Sequence, residues 1–203
     1  AVLTDTTLTS GANFGFGHWN GAGRYYGGWQ GNHPDGRSRI CDSNSCFMVG
    51  IGPEGAAKAV PLIQALTHSS KTDANAWSQL AHDYFFGPVS PHDPNSDCQL
   101  NFVIVIGDGM FTGGAGVLAQ TNGQAAGRIT RLRQQLGVKT LMVAYGDGIK
   151  AQGMEYFDAL AVKGSCDTAG SEDCEPTIVA ETPQELKTKL QQKIRQILAE
   201  RLA

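Results

Sequence analysis

Charge is scarce in this chain. Lysine, arginine, aspartate and glutamate make up 17% of its 203 residues, against roughly 25% in an ordinary soluble domain. The formal net charge is -3 and no dense Lys/Arg run occurs. A nucleic-acid binder that works by phosphate neutralisation and a polybasic membrane anchor are therefore both disfavoured. No window nears about eighteen consecutive apolar residues, so no membrane-spanning helix is expected. Ala1-Val2-Leu3-Thr4-Asp5 shows neither the charged n-region nor the apolar h-region of an export signal, as would also hold for a mature or trimmed chain. Catalytic signatures are missing as well. There is no GxSxG elbow, and the five histidines, at 18, 33, 68, 82 and 92, form neither HExxH nor any i,i+4 pair. The glycine-rich segment Gly107 to Gly116 matches neither GxGxxG nor GxxxxGK[ST], which argues against a phosphate loop there.

What the chain does have is glycine, at 26 residues nearly twice the average share of about 7%, and enough apolar residues to bury a core. The length fits one large domain, residues 1–203, with no linker and no internal repeat. The five cysteines fall as Cys41-x4-Cys46, a lone Cys98, and Cys166-x7-Cys174. Both close pairs sit in polar segments rich in Gly, Ser and Asp. Two local disulfides and an oxidising compartment are the favoured reading. Free thiols or a metal site are the alternatives, although no histidine clusters with these cysteines as zinc would require. Cys98 is either a buried thiol or the partner of a cysteine in another chain.

Periodicity orders the elements. Phe14 and Phe16 with glycines between them predict a short strand, and Cys46 to Ile51 the next. Between them, residues 21–45 form a Gly-rich insertion carrying Tyr25, Tyr26 and Trp29, a surface excursion or binding loop. Gly55 to Leu66 has helical spacing, with Pro61 expected to kink or divide it. Ala74 to Phe86 is an amphipathic helix capped by Thr72 or Asp73. The unbroken apolar run Phe102 to Ile106 predicts a strand covered on both faces, as in the middle of a parallel sheet. A helix from Gln124 to Leu136, capped by Gly137, follows it. Then come a buried strand, Thr140 to Tyr145, a helix, Met154 to Val162, and a short strand, Thr177 to Ala180. The last helix opens on the capping box Thr182-Pro183-Gln184-Glu185. This alternation specifies an α/β fold with a doubly wound, mostly parallel sheet flanked by helices.

Ligands of such sheets bind beyond the carboxyl ends of the strands. Two strands end alike there, on Gly107-Asp108-Gly109 and Gly146-Asp147-Gly148. A carboxylate so placed suits a hard divalent cation completed by hydroxyls and water; the competing reading is a turn-forming or capping Asp.

Several stretches, in order, resemble the von Willebrand factor A-type domain of the PilY/PilC family, adhesin and biogenesis factors at the tips of bacterial type IV pili. They are Gly11-Ala-Asn-Phe-Gly-Phe-Gly-His-Trp-Asn20, the Cys41-to-Cys46 loop running into Phe47-Met-Val-Gly-Ile, Thr72-Asp73-Ala74-Asn75-Ala76, Cys98-Gln-Leu-Asn-Phe-Val-Ile-Val-Ile-Gly-Asp108-Gly109, and the Thr182-Pro183-x-Glu185-Leu186 helix. The resemblance spans nearly the whole chain. It implies a Rossmann-like scaffold and a non-catalytic adhesion or protein-binding role in pilus biogenesis and surface attachment. The implied partners are pilus tip or minor pilin subunits and surface ligands, met at the cell surface after export through periplasm and outer membrane. It also implies a metal-ion-dependent adhesion site for Ca²⁺ or Mg²⁺, in which Thr72 stands for the second-loop Thr and Asp108 for the Asp after the fourth strand.

The site's first part, an Asp-x-Ser-x-Ser after the first strand, has no counterpart. Asp5-Thr6-Thr7-Leu8-Thr9 has the spacing of a degenerate form, but the Phe14 strand follows too soon to leave room for the intervening helix. Asp5 to Ser10 is better matched to the end of that helix. The chain therefore reads as lacking the family's central first strand, which leaves unpaired inner sheet edges and an apolar slot. An upstream fragment or another chain is expected to supply it. The alternative function is a structural subunit of a secreted or surface assembly, with a degenerate metal site completed by another chain.

Overall fold

The computed structural model describes residues 2–18, 47–65, 72–87, 90–96, 99–112, 114–121, 123–149 and 151–200. In chain order these give α1 (Thr6–Thr9), β1 (Phe14–Gly17), β2 (Phe47–Gly52), α2 (Gly55–Gln64), β3 (Thr72–Asp73), α3 (Ala74–Phe86), β4 (Phe102–Gly107) and β5 (Phe111–Thr112). After a 3₁₀ turn at Gly114–Leu118 come α4 (Ala125–Leu136), β6 (Lys139–Tyr145), α5 (Ala151–Ser165), β7 (Ile178–Ala180) and α6 (Pro183–Glu200). The described strands form a parallel sheet in the order β4-β6-β7, an antiparallel hairpin of β1 with β2, and a short parallel pair of β3 with β5. The α/β class and the parallel sheet flanked by helices follow the sequence pattern.

Local chemistry explains most boundaries. Asp73 caps α3, its Oδ1 accepting from the Asn75 and Ala76 amides at 2.9 and 3.3 Å, which serves the orphan N–H groups of the first turn. Gly137 ends α4 in the left-handed region at φ 64°, its amide returning to the Arg133 carbonyl and that of Val138 to Leu132, as a side chain there would resist. At α6, Thr182 Oγ1 accepts from the Glu185 amide, while the Glu185 carboxylate reaches the Glu181 amide. That reciprocal bond falls one residue upstream of the usual capping box. Pro61 does not divide α2, which runs unbroken through it. The Met154 helix is longer than its apolar spacing suggested, reaching from Ala151 to Ser165.

The main core lies between the sheet and one helical layer, where α3 packs on α4 and α4 on α5. Trp77 from α3, Val105 from β4, Ile129 from α4, Met142 from β6 and Phe157 from α5 are all buried in a single cluster. The other side of the sheet faces α6, whose stripe Leu190, Ile194 and Ile197 is buried. β6 is enclosed from both sides, as its sequence predicts. β4 is not. Its expected cover on both faces is incomplete: among the described residues its only ladder partner is β6, Phe102 to Ile104 are half-buried, and Ile106 is 42% exposed. An apolar run without alternation signals enclosure on both faces, but the neighbour that would enclose this one is not among the described residues.

One helix carries a pH-sensitive contact. His82 of α3 lies 3.2 Å from Asp83 Oδ1, with its ring 4.6 Å from Phe86, whose face Arg131 of α4 also covers. Burial lowers the His82 pKa first, Asp83 partly opposes this, and Arg131 and Arg128 add to it. A histidine whose folded pKa is depressed binds its proton more readily unfolded. Stability is thus complete above the unfolded value near 6.5 and falls as pH drops through it. Thermal unfolding should show a lower midpoint at pH 5.5 than at pH 7.5, and His82→Gln should flatten part of that fall. His18, also desolvated, contributes with the same sign; a slope unchanged in the variant would show that His82 takes no part.

Candidate functional site

The carboxyl ends of β4 and β6 lie side by side because Gly107 pairs with Ala144 in the ladder. Both Gly-Asp-Gly exits therefore emerge together. A Cβ placed on Gly148 would stand 3.1 Å from the Asp108 carbonyl, so the two turns touch through backbone that a side chain would separate. Asp108 and Asp147 are both exposed. Among the described residues neither carboxylate has a hydrogen-bond or ion-pair partner. Just beyond Asp108 the chain forms β5, which pairs with β3 and sets Thr72 opposite Phe111. The backbone pairing thus brings the Thr72 segment to the same end of the molecule as Asp108.

Asp73, next to Thr72, caps α3 through its Oδ1. Asp5 is also committed. Its Oδ2 accepts from Gln191 Nε2 at 2.8 Å and lies 3.5 Å from Arg195 Nη2, both on α6. The degenerate Asp5-x-Thr7-x-Thr9 motif is thereby held on that helix. Among the described residues no group of three or more His, Cys, Asp and Glu side chains could hold a metal ion. Thr72 and Asp108 alone do not complete the six to eight oxygen ligands that Ca²⁺ prefers. Donors from elsewhere would be needed.

Cys166 and Cys174 are joined, with Cα atoms 4.9 Å apart, in the loop that leaves α5. This disulfide points to an oxidising compartment. Among the described residues no helix is long and apolar enough to cross a membrane. The expected Cys41–Cys46 disulfide, Cys98 and the aromatic loop with Tyr25, Tyr26 and Trp29 lie outside the described residues.

Two further features concern one contact without a sequence signal and one sequence pattern with a structural explanation. The first is Asn75, whose side chain joins α3 to α4: Nδ2 donates to Gln124 Oε1 at 2.8 Å and Oδ1 accepts from the Ala125 amide at 2.9 Å. Gln124 itself makes no side-chain cap at α4, so a residue fifty positions upstream caps that helix. Arg128, buried beneath, donates to the Asn75 carbonyl. The second is glycine spacing. Gly50-Ile-Gly-Pro-Glu-Gly55 has the GxGxxG pattern between a strand and a helix, the arrangement that can cradle a dinucleotide. Here β2 is the antiparallel partner of β1 and not part of a βαβ unit, and Gly55 serves a close approach to the Phe14 carbonyl. The spacing serves packing.

A concavity of about 1480 Å³ lies beside β4 rather than at the Asp pair. It runs the length of β1 and of β4 and reaches Asp108 at one end. Trp77, Leu80 and Phe85 of α3 line it, as do Leu190, Ile194 and Ile197 of α6. Trp77 also carries a buried indole N–H without a hydrogen-bond partner among the described residues.

No family model matches this chain, no curated protein matches it, and neither does any solved structure.

Proposed function

We propose that this chain is a non-catalytic adhesion and protein-binding domain on a von Willebrand factor A-type scaffold. In this reading it belongs to a type IV pilus tip-associated protein, exported through periplasm and outer membrane, and supports pilus biogenesis and surface attachment. The observation that carries the reading is the exposed Asp108 at the exit of β4, beside the Asp147 turn and joined through β5 to the Thr72 segment. The Cys166–Cys174 disulfide supports an extracytoplasmic location. Asp108 and Thr72 contribute to a Ca²⁺ or Mg²⁺ site whose other donors come from outside the described residues, and an acidic group on a protein ligand occupies the open coordination position. Calorimetric titration of each cation into the wild-type chain and into Asp108→Ala tests this. Saturable binding in the first and at least about tenfold weaker binding in the second is expected, given a lost charged ligand. A folded wild-type chain that binds neither cation overturns the adhesion site.

A second reading is favoured by the concavity beside β4: a structural subunit of a surface assembly, with a degenerate metal site, completed by another chain.

A further inference from the structure

We infer that the concavity between β1 and β4 receives one extended, apolar strand donated by another polypeptide, paired through main-chain hydrogen bonds with the edge of β4 opposite β6. The inference deepens the second reading above and is independent of any cation.

The backbone directions identify the open groups. The Asn101 carbonyl accepts from Lys139 on β6, and N–H and C=O groups alternate sides along a strand. Val103 and Val105 therefore bond toward β6, while the amides and carbonyls of Phe102, Ile104 and Ile106 face the cavity. Among the described residues these groups have no ladder partner. On the far side of the cavity β1 likewise pairs only with β2. Unpaired backbone groups lining an apolar cavity are costly. A strand satisfies the row of alternating donors and acceptors along β4 in one step.

Three observations favour an apolar strand in this cavity. The volume, about 1480 Å³, exceeds the roughly 300–1,000 Å³ of small-molecule sites. The walls also differ from those of a natural sheet edge. At the outer edge of β7, the Val179 carbonyl points away from β6, because that of Ala180 bonds Gly146, and Lys189 Nζ covers it at 2.6 Å. A lysine over an edge is how proteins block strand addition. The β4 edge instead presents Ile104 and Ile106. Finally, α3 offers Trp77, Leu80 and Phe85 to the cavity and α6 offers Leu190 and Ile194. An occupant between these two helices must be apolar on both faces, a continuous apolar run like that of β6.

The test uses the full 203-residue chain in chelator, so that cation binding plays no part. The probe is an eight-residue synthetic peptide of six alternating Val and Leu residues between terminal lysines. Its control carries proline at two central positions and cannot pair. Native mass spectrometry should show a 1:1 complex with the first peptide only. Hydrogen exchange should slow at the Ile104 and Ile106 amides, while those of Val103 and Val105, already bonded to β6, stay unchanged and report that the sheet is intact. Ile106→Lys, at an exposed position that tolerates lysine, should weaken the complex by about tenfold or more, because it sets a charge against the incoming strand. A chain that folds only when the peptide is present supports the inference equally. A folded chain that binds neither peptide overturns it, as does equal binding of both peptides. A homodimer that protects Ile104 and Ile106 without peptide also overturns it, since a second copy would then be the occupant.

Discussion

Truncating Phe157 to alanine should cost about 3–5 kcal/mol of stability, the range for deleting a fully buried aromatic ring. Phe157 has no exposed surface and stacks on Phe111 at a centroid distance of 4.6 Å, with Phe111 in turn 6.4 Å from Trp77. Its loss leaves a void between α5 and the short β3–β5 pair. That pair has two residues on each strand, too few to hold its place by backbone bonds alone. The damage should therefore spread from the core to the Thr72 segment. Urea denaturation gives the stability, and amide exchange at Asp73 gives the local effect. A loss below about 1 kcal/mol would mean that the core closes over the void, and unchanged exchange at Asp73 would show that β3 does not depend on this stack.

Gly55→Ala should be nearly as damaging through the opposite cause. A Cβ there would lie 1.6 Å from the Phe14 carbonyl oxygen and 2.7 Å from its carbon, so α2 cannot stay where it is against β1. Moving packed backbone apart costs about 3 kcal/mol or more. Because β1 is one wall of the cavity beside β4, the variant should also lose the peptide complex. Gly52→Ala is the control: it sits three residues earlier, with nothing within 4 Å of its Cβ position, and should cost less than about 1 kcal/mol. Equal unfolding midpoints for the two variants would show that the approach of α2 to Phe14 is not what constrains Gly55.

Elements with local causes were legible from residue order. Asp73 at the start of α3, Gly137 at the end of α4 and the Thr182 box at α6 each act within a few residues, so composition and spacing carried them. The β6 strand was equally clear, because residues buried on both faces leave an unbroken apolar run. Pro61 does not divide α2 because a proline's cost depends on whether the surrounding packing holds the helix together; α2 packs on both β1 and β2.

The candidate site was legible only as separate residues. Asp108 could be placed at a strand exit from Gly-Asp-Gly alone, but the contact between the two exits depends on the β4–β6 register. Asp5 matched a ligand spacing, yet its carboxylate went to Gln191 and Arg195, nearly the whole chain away. Electrostatic partners of that separation have no sequence signal.

By itself, then, the sequence determined the α/β class, the order of strands and helices, the caps, and the apolar character of β4. These follow from periodicities and from bonds made within one turn or one strand. Only the tertiary structure decided that Asn75 caps a second helix, that Asp5 is bound to α6, and which residues of α3 and α6 line the cavity beside β4. Hydrophobicity records that a segment prefers to be covered, and a linear pattern carries no information about which surface covers it or whether that surface is there.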